Sequence, residues 1–299
     1  MNYKVEFDNV SLRYKDFEAL KNVSFQLESG KIYGLLGRNG AGKTSLLSLL
    51  SSFRLPTEGS ILIGGEPPFE NPKIMPHVVL VYEKDYKEER NKVSTFIQDA
   101  AKFRPFFDMD YALLLAEKFK LPLNKEVRKL SRGMKSAMNV TIGLASRAPV
   151  TIFDEAYLGM DAPTREMFYK ELLGDQAKHP RTMILSTHLV SEMDYLFEEV
   201  LILDRGKLLL HEDYETLISK GLTITGDAGA VDDFTKGRKI LNEEQLGNTK
   251  SVIVFGDFNE DLRLEAEEQG LETGTCSLQD LFIHLTGKED AYETNSRIS

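Results

Sequence analysis

Hydrophobic and polar positions change period several times along the chain. KVEFDNVSLRY alternates between the two, as a half-buried strand does, and ALKNVSFQLE predicts a second strand. KIYGLLG is apolar throughout and predicts a fully buried strand, followed by a glycine loop and by TSLLSLLSSF, an apolar run of helical length. GSILIGG is a strand held between glycines, and VLVYEKD is an apolar strand ending in charges. From about 83 to 129 charged and aromatic residues dominate, and VSTFIQDAAKFRPFFDMDYALLLAEKFKL predicts helices broken at Pro105. A helical pattern from Ser131 to Ala148 leads into VTIFDE, a buried strand ending in two carboxylates. PTREMFYKELLGD predicts a helix, RTMILSTH a strand, SEMDYLFEEV a helix, and LILDRGKLLLH a hairpin-like strand pair.

Strands alternating with helices imply an α/β domain with a mainly parallel sheet, preceded by antiparallel strands. The domain is expected over 1–219, with a helical insertion at about 83–134. After 220 the pattern shortens. LTITG, a short helix, RKILNEEQ, SVIVFGD, a helix at EDLRLEAEEQG and SLQDLFIHLTG predict a small α+β appendage over 220–287. KEDAYETNSRIS, 288–299, reads as a polar, frayed tail.

The 299 residues suffice for one large core or a large domain plus a small one. A net charge of -10 disfavours a nucleic-acid partner, since binding a phosphate backbone calls for a basic surface. The single cysteine, Cys276, excludes an intrachain disulfide and suits a reducing cytosol. The start, MNYKVEFDNV, lacks an apolar core and predicts no signal peptide. No apolar run approaches ~20 residues, so no helical membrane span is expected and any work at a membrane needs a partner.

The densest chemistry lies at GRNGAGKT, 37–44, which fits G-x-x-x-x-G-K followed by Ser or Thr. Glycines permit positive φ, so successive N–H groups can turn inward and form an anion nest at a helix start. Gly37, Asn39, Gly40, Ala41 and Gly42, with Lys43, Thr44 and Ser45, form the candidate nucleotide-binding set. Lys43 would bridge the β- and γ-phosphates and Thr44 would offer its hydroxyl to Mg²⁺. Asp154 and Glu155 end a buried strand, where ligands of α/β sheets gather. Asp154 can hold Mg²⁺, and Glu155 is placed to polarise an attacking water. His188 ends another apolar strand, where it could bond the γ-phosphate and hold the water and Glu155. Ser131 reads as a helix N-cap with Gly133 in the first turn, a second phosphate-binding surface. Alone, a cap serine or a strand-end histidine is more often structural; beside the phosphate loop each gains weight.

Together these residues resemble the ATP-binding cassette (ABC) ATPases, over about 5–211. The order matches: Walker A at 37–44, signature LSRGM at 130–134, Walker B at 152–155, the D-loop GMD with Asp161, and the switch histidine His188. The resemblance implies a P-loop NTPase core that binds and hydrolyses ATP with Mg²⁺. Tyr14 matches the aromatic that stacks on adenine. Two cassettes, the same chain or a sister, pair head to tail, and Ser131 and Gly133 of one contact the γ-phosphate held by Lys43 of the other. Glu83 stands where the family has a glutamine that reaches Mg²⁺; Arg132 and Met134 replace Gly and Gln of the signature, Arg132 as a tolerated surface change; Ala156-Tyr157 replaces Pro-Thr. Within the family the chain looks like bacterial exporter subunits that work with a separate membrane permease, as in antibiotic- or peptide-export operons. That implies a peripheral place on the cytoplasmic face of the membrane, with Phe96, Phe103, Phe106 and Phe107 toward the permease. The C-terminal piece would be regulatory or a dimer contact. A soluble cassette with a non-transport role, a non-catalytic subunit and an importer ATPase are the rival readings.

Overall fold

The computed structural model describes residues 3–287, apart from 259. Contacts divide this chain into two compact units. One runs to His188 and takes in Tyr195–His211; the other comprises Leu189–Asp194 and the residues from Glu212 onward.

In the first unit β1 (Val5–Tyr14) and β2 (Phe17–Leu27) pair antiparallel, and β3 (Ile32–Leu36) runs through a loop into α1 (Lys43–Leu50). β4 (Glu58–Ile63) joins the other edge of β1, giving an antiparallel sheet in the order β2-β1-β4. After β5 (Val78–Tyr82) come α2 (Val93–Lys102), α3 (Met109–Lys118) and α4 (Arg132–Ser146). β6 (Val150–Asp154), α5 (Ala162–Lys178), β7 (Thr182–Thr187), β8 (Glu199–Asp204) and β9 (Lys207–Asp213) follow. The main sheet has the order β5-β6-β7-β3-β8-β9. Every pairing from β5 to β8 is parallel. β9 follows β8 through a two-residue turn at Arg205 and Gly206, both at positive φ, the geometry that hairpin turns require.

The central strands show why the apolar runs read as buried. All five residues of β3 and all six of β7 are buried, since parallel strands are covered on both faces. Leu35, Leu47, Leu50, Ile152, Ile184 and Leu201 share one core with Phe7, Phe25 and Ile63 from the antiparallel sheet. Complete burial of such a side chain contributes about 1.5–3 kcal/mol. Gly34, in the middle of β3, is required by space: a Cβ there would stand 2.6 Å from the Phe197 ring.

Register places the functional strand ends. Leu36 lies opposite Thr187, Asp154 opposite Ser186, and Tyr82 opposite Asp154. The carboxyl ends of β3, β7, β6 and β5 therefore form one rim, and the loops leaving them converge.

One expected helix is absent. SEMDYLFEEV forms two short 3-10 turns, Val190–Glu192 and Asp194–Leu196, and its end enters β8. Pairing of β8 with β3 and burial of Phe197 against Gly34 outweigh the helical spacing.

The second unit contains α6 (Tyr214–Ser219), β10 (Gly221–Asp227), α7 (Ala228–Thr235), β11 (Ile240–Leu246), β12 (Thr249–Phe255), α8 (Glu260–Glu268), β13 (Glu272–Thr275) and α9 (Leu278–Thr286). Its sheet has the order β11-β12-β10-β13 with antiparallel pairings throughout. This β-α-β-β-α-β path is the split arrangement of ferredoxin-like domains. Leu222, Ile224, Val252 and Val254 of the sheet pack with Val231 and Phe234 of α7 and Leu262 and Ala266 of α8. β13 and α6 had no counterpart in the sequence pattern. The tail at 288–299 lies outside the described residues.

Candidate functional site

The phosphate loop leaves β3 and closes on the first turn of α1. Gly40 and Gly42 have φ of 82° and 110°, a region that side chains strongly disfavour. At Gly42 space is short as well, because a Cβ would lie 2.7 Å from the Ala19 carbonyl oxygen. Lys43 opens α1 and is only 7% exposed. Its ammonium donates to the carbonyl of Gly37 at 2.5 Å and to that of Arg38 at 3.3 Å. Burial pushes its pKa down, while Glu155 and Asp154 pull it up. A buried cation bonded to backbone carbonyls is suited to meet an anion.

Thr44 donates its hydroxyl to Asp154 Oδ2 at 3.1 Å. Burial pushes the Asp154 carboxyl above the usual carboxylate range, against the opposing Thr44 hydrogen bond. Two oxygens about 3 Å apart match neighbouring ligands of an octahedron with ~2.1 Å bonds, the geometry Mg²⁺ demands. Among the described residues no cluster of three or more His, Cys, Asp or Glu could hold a metal. A cation bound between Thr44 and Asp154 would thus take its remaining ligands from phosphate and water.

Glu155 follows β6 with φ of 49°, a left-handed conformation uncommon for a residue with a side chain. Such a conformation costs about 1–3 kcal/mol and tends to occur at functional sites. Its amide donates to the Ser186 carbonyl at 3.2 Å, and its Oε1 lies 2.7 Å from His188 Nδ1. The expected pairing of the strand-end histidine with Glu155 is therefore present. Asn39, Gly40, Ala41, Gly42, Lys43, Thr44, Ser45, Glu83, Asp154 and Glu155 line one cleft.

Two residues have neighbours that the sequence did not foretell. Tyr14 is not among those lining this cleft; Phe17, 62% exposed, is. The Arg54 guanidinium sits 4.7 Å over the Tyr14 ring, and the Tyr14 hydroxyl is 3.5 Å from Ser45 Oγ. Glu83, which stands where the resemblance places a residue that reaches Mg²⁺, receives two hydrogen bonds from Arg132, each 2.7 Å, from Nε and Nη2. Arg132 is thus engaged rather than a bystander on the surface, and its hydrogen bonds hold the Glu83 carboxyl below the usual range. A reading of local spacing could not find this pair, whose members are 49 positions apart. Phe17 lies two residues before ALKNVSFQLE, the stretch that predicts the second strand, and is the first residue of β2.

Ser131, Gly133 and Asp161 line a different cleft, with Gly159 and Thr164. Ser131 caps α4 by accepting from Met134 N at 3.2 Å, and Asp161 caps α5 by accepting from Thr164 N at 3.0 Å. A Cβ on Gly133 would stand 2.8 Å from the Gly159 carbonyl oxygen, so only glycine lets this loop lie so close to α4. Two helix N-termini thus meet beside one cleft, a favourable place for an anion. Tyr157, one of the substitutions in the Walker B region, is fully buried, with its ring stacked 6.3 Å from that of Phe168.

A groove between β5, α2 and α4 is lined by Tyr82, Phe96, Phe103 and Ile142, and Phe103 is 78% exposed. Phe106 lies elsewhere, 5.4 Å from the His77 ring.

A phosphate loop at the end of a buried parallel strand, with a carboxylate pair and a histidine on the neighbouring strand ends, defines a P-loop ATPase cassette. Residues 20–158 match the family described as ABC transporter, so this stretch is similar to the ATP-binding domain of that family. It is 26% identical to the ABC transporter ATP-binding protein YtrB of Bacillus subtilis, over 71% of this chain and 73% of that one. It is 25% identical to the Nod factor export ATP-binding protein I of Burkholderia lata, over 95% of this chain and 97% of that one. Among solved structures, a dimeric bacterial ABC transporter cassette matches with a TM-score of 0.63 and 20% identity, over 70% of this chain and 98% of that one. At that identity the match speaks for the fold.

Proposed function

We propose that this chain hydrolyses ATP to drive export through a membrane-spanning subunit encoded separately. The observation that carries the reading is the Glu155–His188 contact beside the Thr44–Asp154 pair, in the cleft that also holds Lys43. A protein that only stored nucleotide would have no use for a strained, histidine-held carboxylate at that point. In this reading the Lys43 ammonium leaves the Gly37 and Arg38 carbonyls for the β- and γ-phosphates. Thr44 and Asp154 would hold Mg²⁺, which would supply charge neutralisation to the phosphates. Glu155 orients and deprotonates the attacking water, and His188 fixes Glu155. Phe17 and Tyr14 are the aromatic candidates for the base.

Ser131, Gly133 and Asp161 line a cleft other than the one with the phosphate loop, which supports their acting on nucleotide bound by a second cassette, the same chain or a sister. Among the described residues no helix is long and apolar enough to cross a membrane, in keeping with a peripheral subunit at the cytoplasmic face. The groove with exposed Phe103 and Tyr82 begins one residue from Glu83 on the cleft wall, which suits a contact that passes motion between permease and nucleotide. Similarity to a protein named for Nod factor export supports export, and a peptide, antibiotic or other amphipathic compound is the proposed cargo class.

The test is co-purification with the membrane subunit, with ATPase activity measured alone and in the complex. Stimulation of several-fold, lost in Phe103→Asp, and ATP-dependent movement of cargo out of the cytoplasmic side are the expected results. No permease and no stimulation would favour a soluble role; inward movement would favour an importer.

A further inference from the structure

We propose that Arg132 is the built-in counter-charge of Glu83, preventing a carboxylate on the cleft wall from repelling the triphosphate. The proposal rests on the reading of that cleft as the ATP site. Three carboxylates line the cleft: Glu83, Asp154 and Glu155. Asp154 is bonded to Thr44 and suited to a metal, and Glu155 is held by His188. Glu83 has neither arrangement. It directly follows β5, whose last residue Tyr82 pairs in register with Asp154, so the three acids stand on adjacent strand ends. Both oxygens of Glu83 are taken by the fork of one guanidinium, which comes from the first residue of α4. The planar fork suits this bidentate grip, and the guanidinium keeps its charge at any working pH.

Both partners are more than half exposed, so the pair itself adds little to folding stability. Its effect on an incoming polyanion is a separate matter. An unpaired charge on the wall acts on several phosphate charges at once, and over distances within the ~10 Å screening length at 0.1 M salt. Arg132 acts through Glu83 and is a positioning residue. It needs no second chain for this role, which separates it from any part that the Ser131 loop plays across a dimer.

The experiment measures equilibrium binding of ATP in the presence of a chelator, at low salt, on the full chain. Without divalent metal, Glu83 faces phosphate alone and the sign of its effect is unambiguous. Arg132→Ala is expected to weaken binding about tenfold, with the loss shrinking as salt is added. Arg132→Gln, which keeps length and polarity, should show the same loss and guards against a packing effect. Glu83→Gln combined with Arg132→Ala should restore binding to within about twofold of Glu83→Gln alone, because no charge is left to compensate. Unchanged binding in Arg132→Ala, or a double variant as weak as Arg132→Ala, overturns the proposal. Lys43→Ala, measured alongside, separates the two levels. Retained affinity there sinks the ATP-site reading, whereas loss there with a flat response at Arg132 sinks only the counter-charge.

Discussion

At the scale of single residues the cleft sets charged groups under tension that a ligand relieves. Lys43 is buried, and its pKa is depressed below the ordinary 10.5 chiefly for that reason. Bound phosphate favours the ammonium form, so the ligand raises that pKa again. ATP affinity should therefore hold at neutral pH and fall as pH rises through the depressed value, before 10.5 is reached. Lys43→Arg stays charged throughout and should give a flatter profile, whatever its absolute affinity. Titration of ATP affinity for both proteins checks this; parallel profiles would show that the ammonium does not meet the phosphate. Glu155→Gln removes the proton acceptor but keeps the Thr44–Asp154 pair. Binding should survive while turnover falls by about 10²–10⁴, the usual worth of a positioned base. Single-turnover hydrolysis measures it, and a variant near wild-type rate would take Glu155 out of the mechanism.

At the scale of elements the sheet holds the site through close approaches. In β3, Gly34 lets the Phe197 ring come within 2.6 Å of the place a Cβ would occupy. Gly34→Ala has to push that ring or the strand aside, which should cost about 1–3 kcal/mol, as overpacking in cores does. The urea midpoint should drop with little change in slope, and nucleotide affinity of the folded fraction should stay close to wild type. An unchanged midpoint would show that Phe197 relocates freely. The same contact shows what the sequence could and could not reveal. β3, β6 and β7 were legible because strands covered on both faces must be apolar throughout, and the phosphate loop because glycine at positive φ has few substitutes. SEMDYLFEEV misled because its apolar spacing serves two different ends: turns that bury Met193 and Leu196, and a strand that bonds to β3. β13 was invisible because ETGT carries no apolar residue, its pairing with β10 being its visible tie to the sheet. In the site, the motif residues were legible in order, while the Arg132 fork on Glu83 and the exposure of Phe17 exist only once the chain has folded.

At the scale of the whole molecule, the switch histidine has an unusual neighbour in the chain. His188 ends the first part of the ATPase unit, and the next residues, Leu189–Asp194, belong to the second unit. Within that unit α9 packs against the turn Val190–Glu192, and Val190 and Met193 are buried. The chain returns to the first unit at Tyr195. Truncation after His211 thus removes α9 and leaves Val190 without that cover, an exposure worth up to about 1.5–3 kcal/mol for one such side chain. The phosphate loop, Thr44 and Asp154 lie on β3, α1 and β6, and none of these elements is removed. ATP binding by the truncated chain should accordingly stay within a few-fold of the full chain. Hydrolysis should fall further than binding, because the segment that continues from His188 has lost its packing and the 2.7 Å contact with Glu155 depends on where His188 stands. The measurement is the ratio of ATP affinity to single-turnover rate for the two proteins, with a thermal melt to confirm that the truncated chain is folded. Equal retention of both would show that His188 is held by β7 alone, and that the second unit has no part in setting the site.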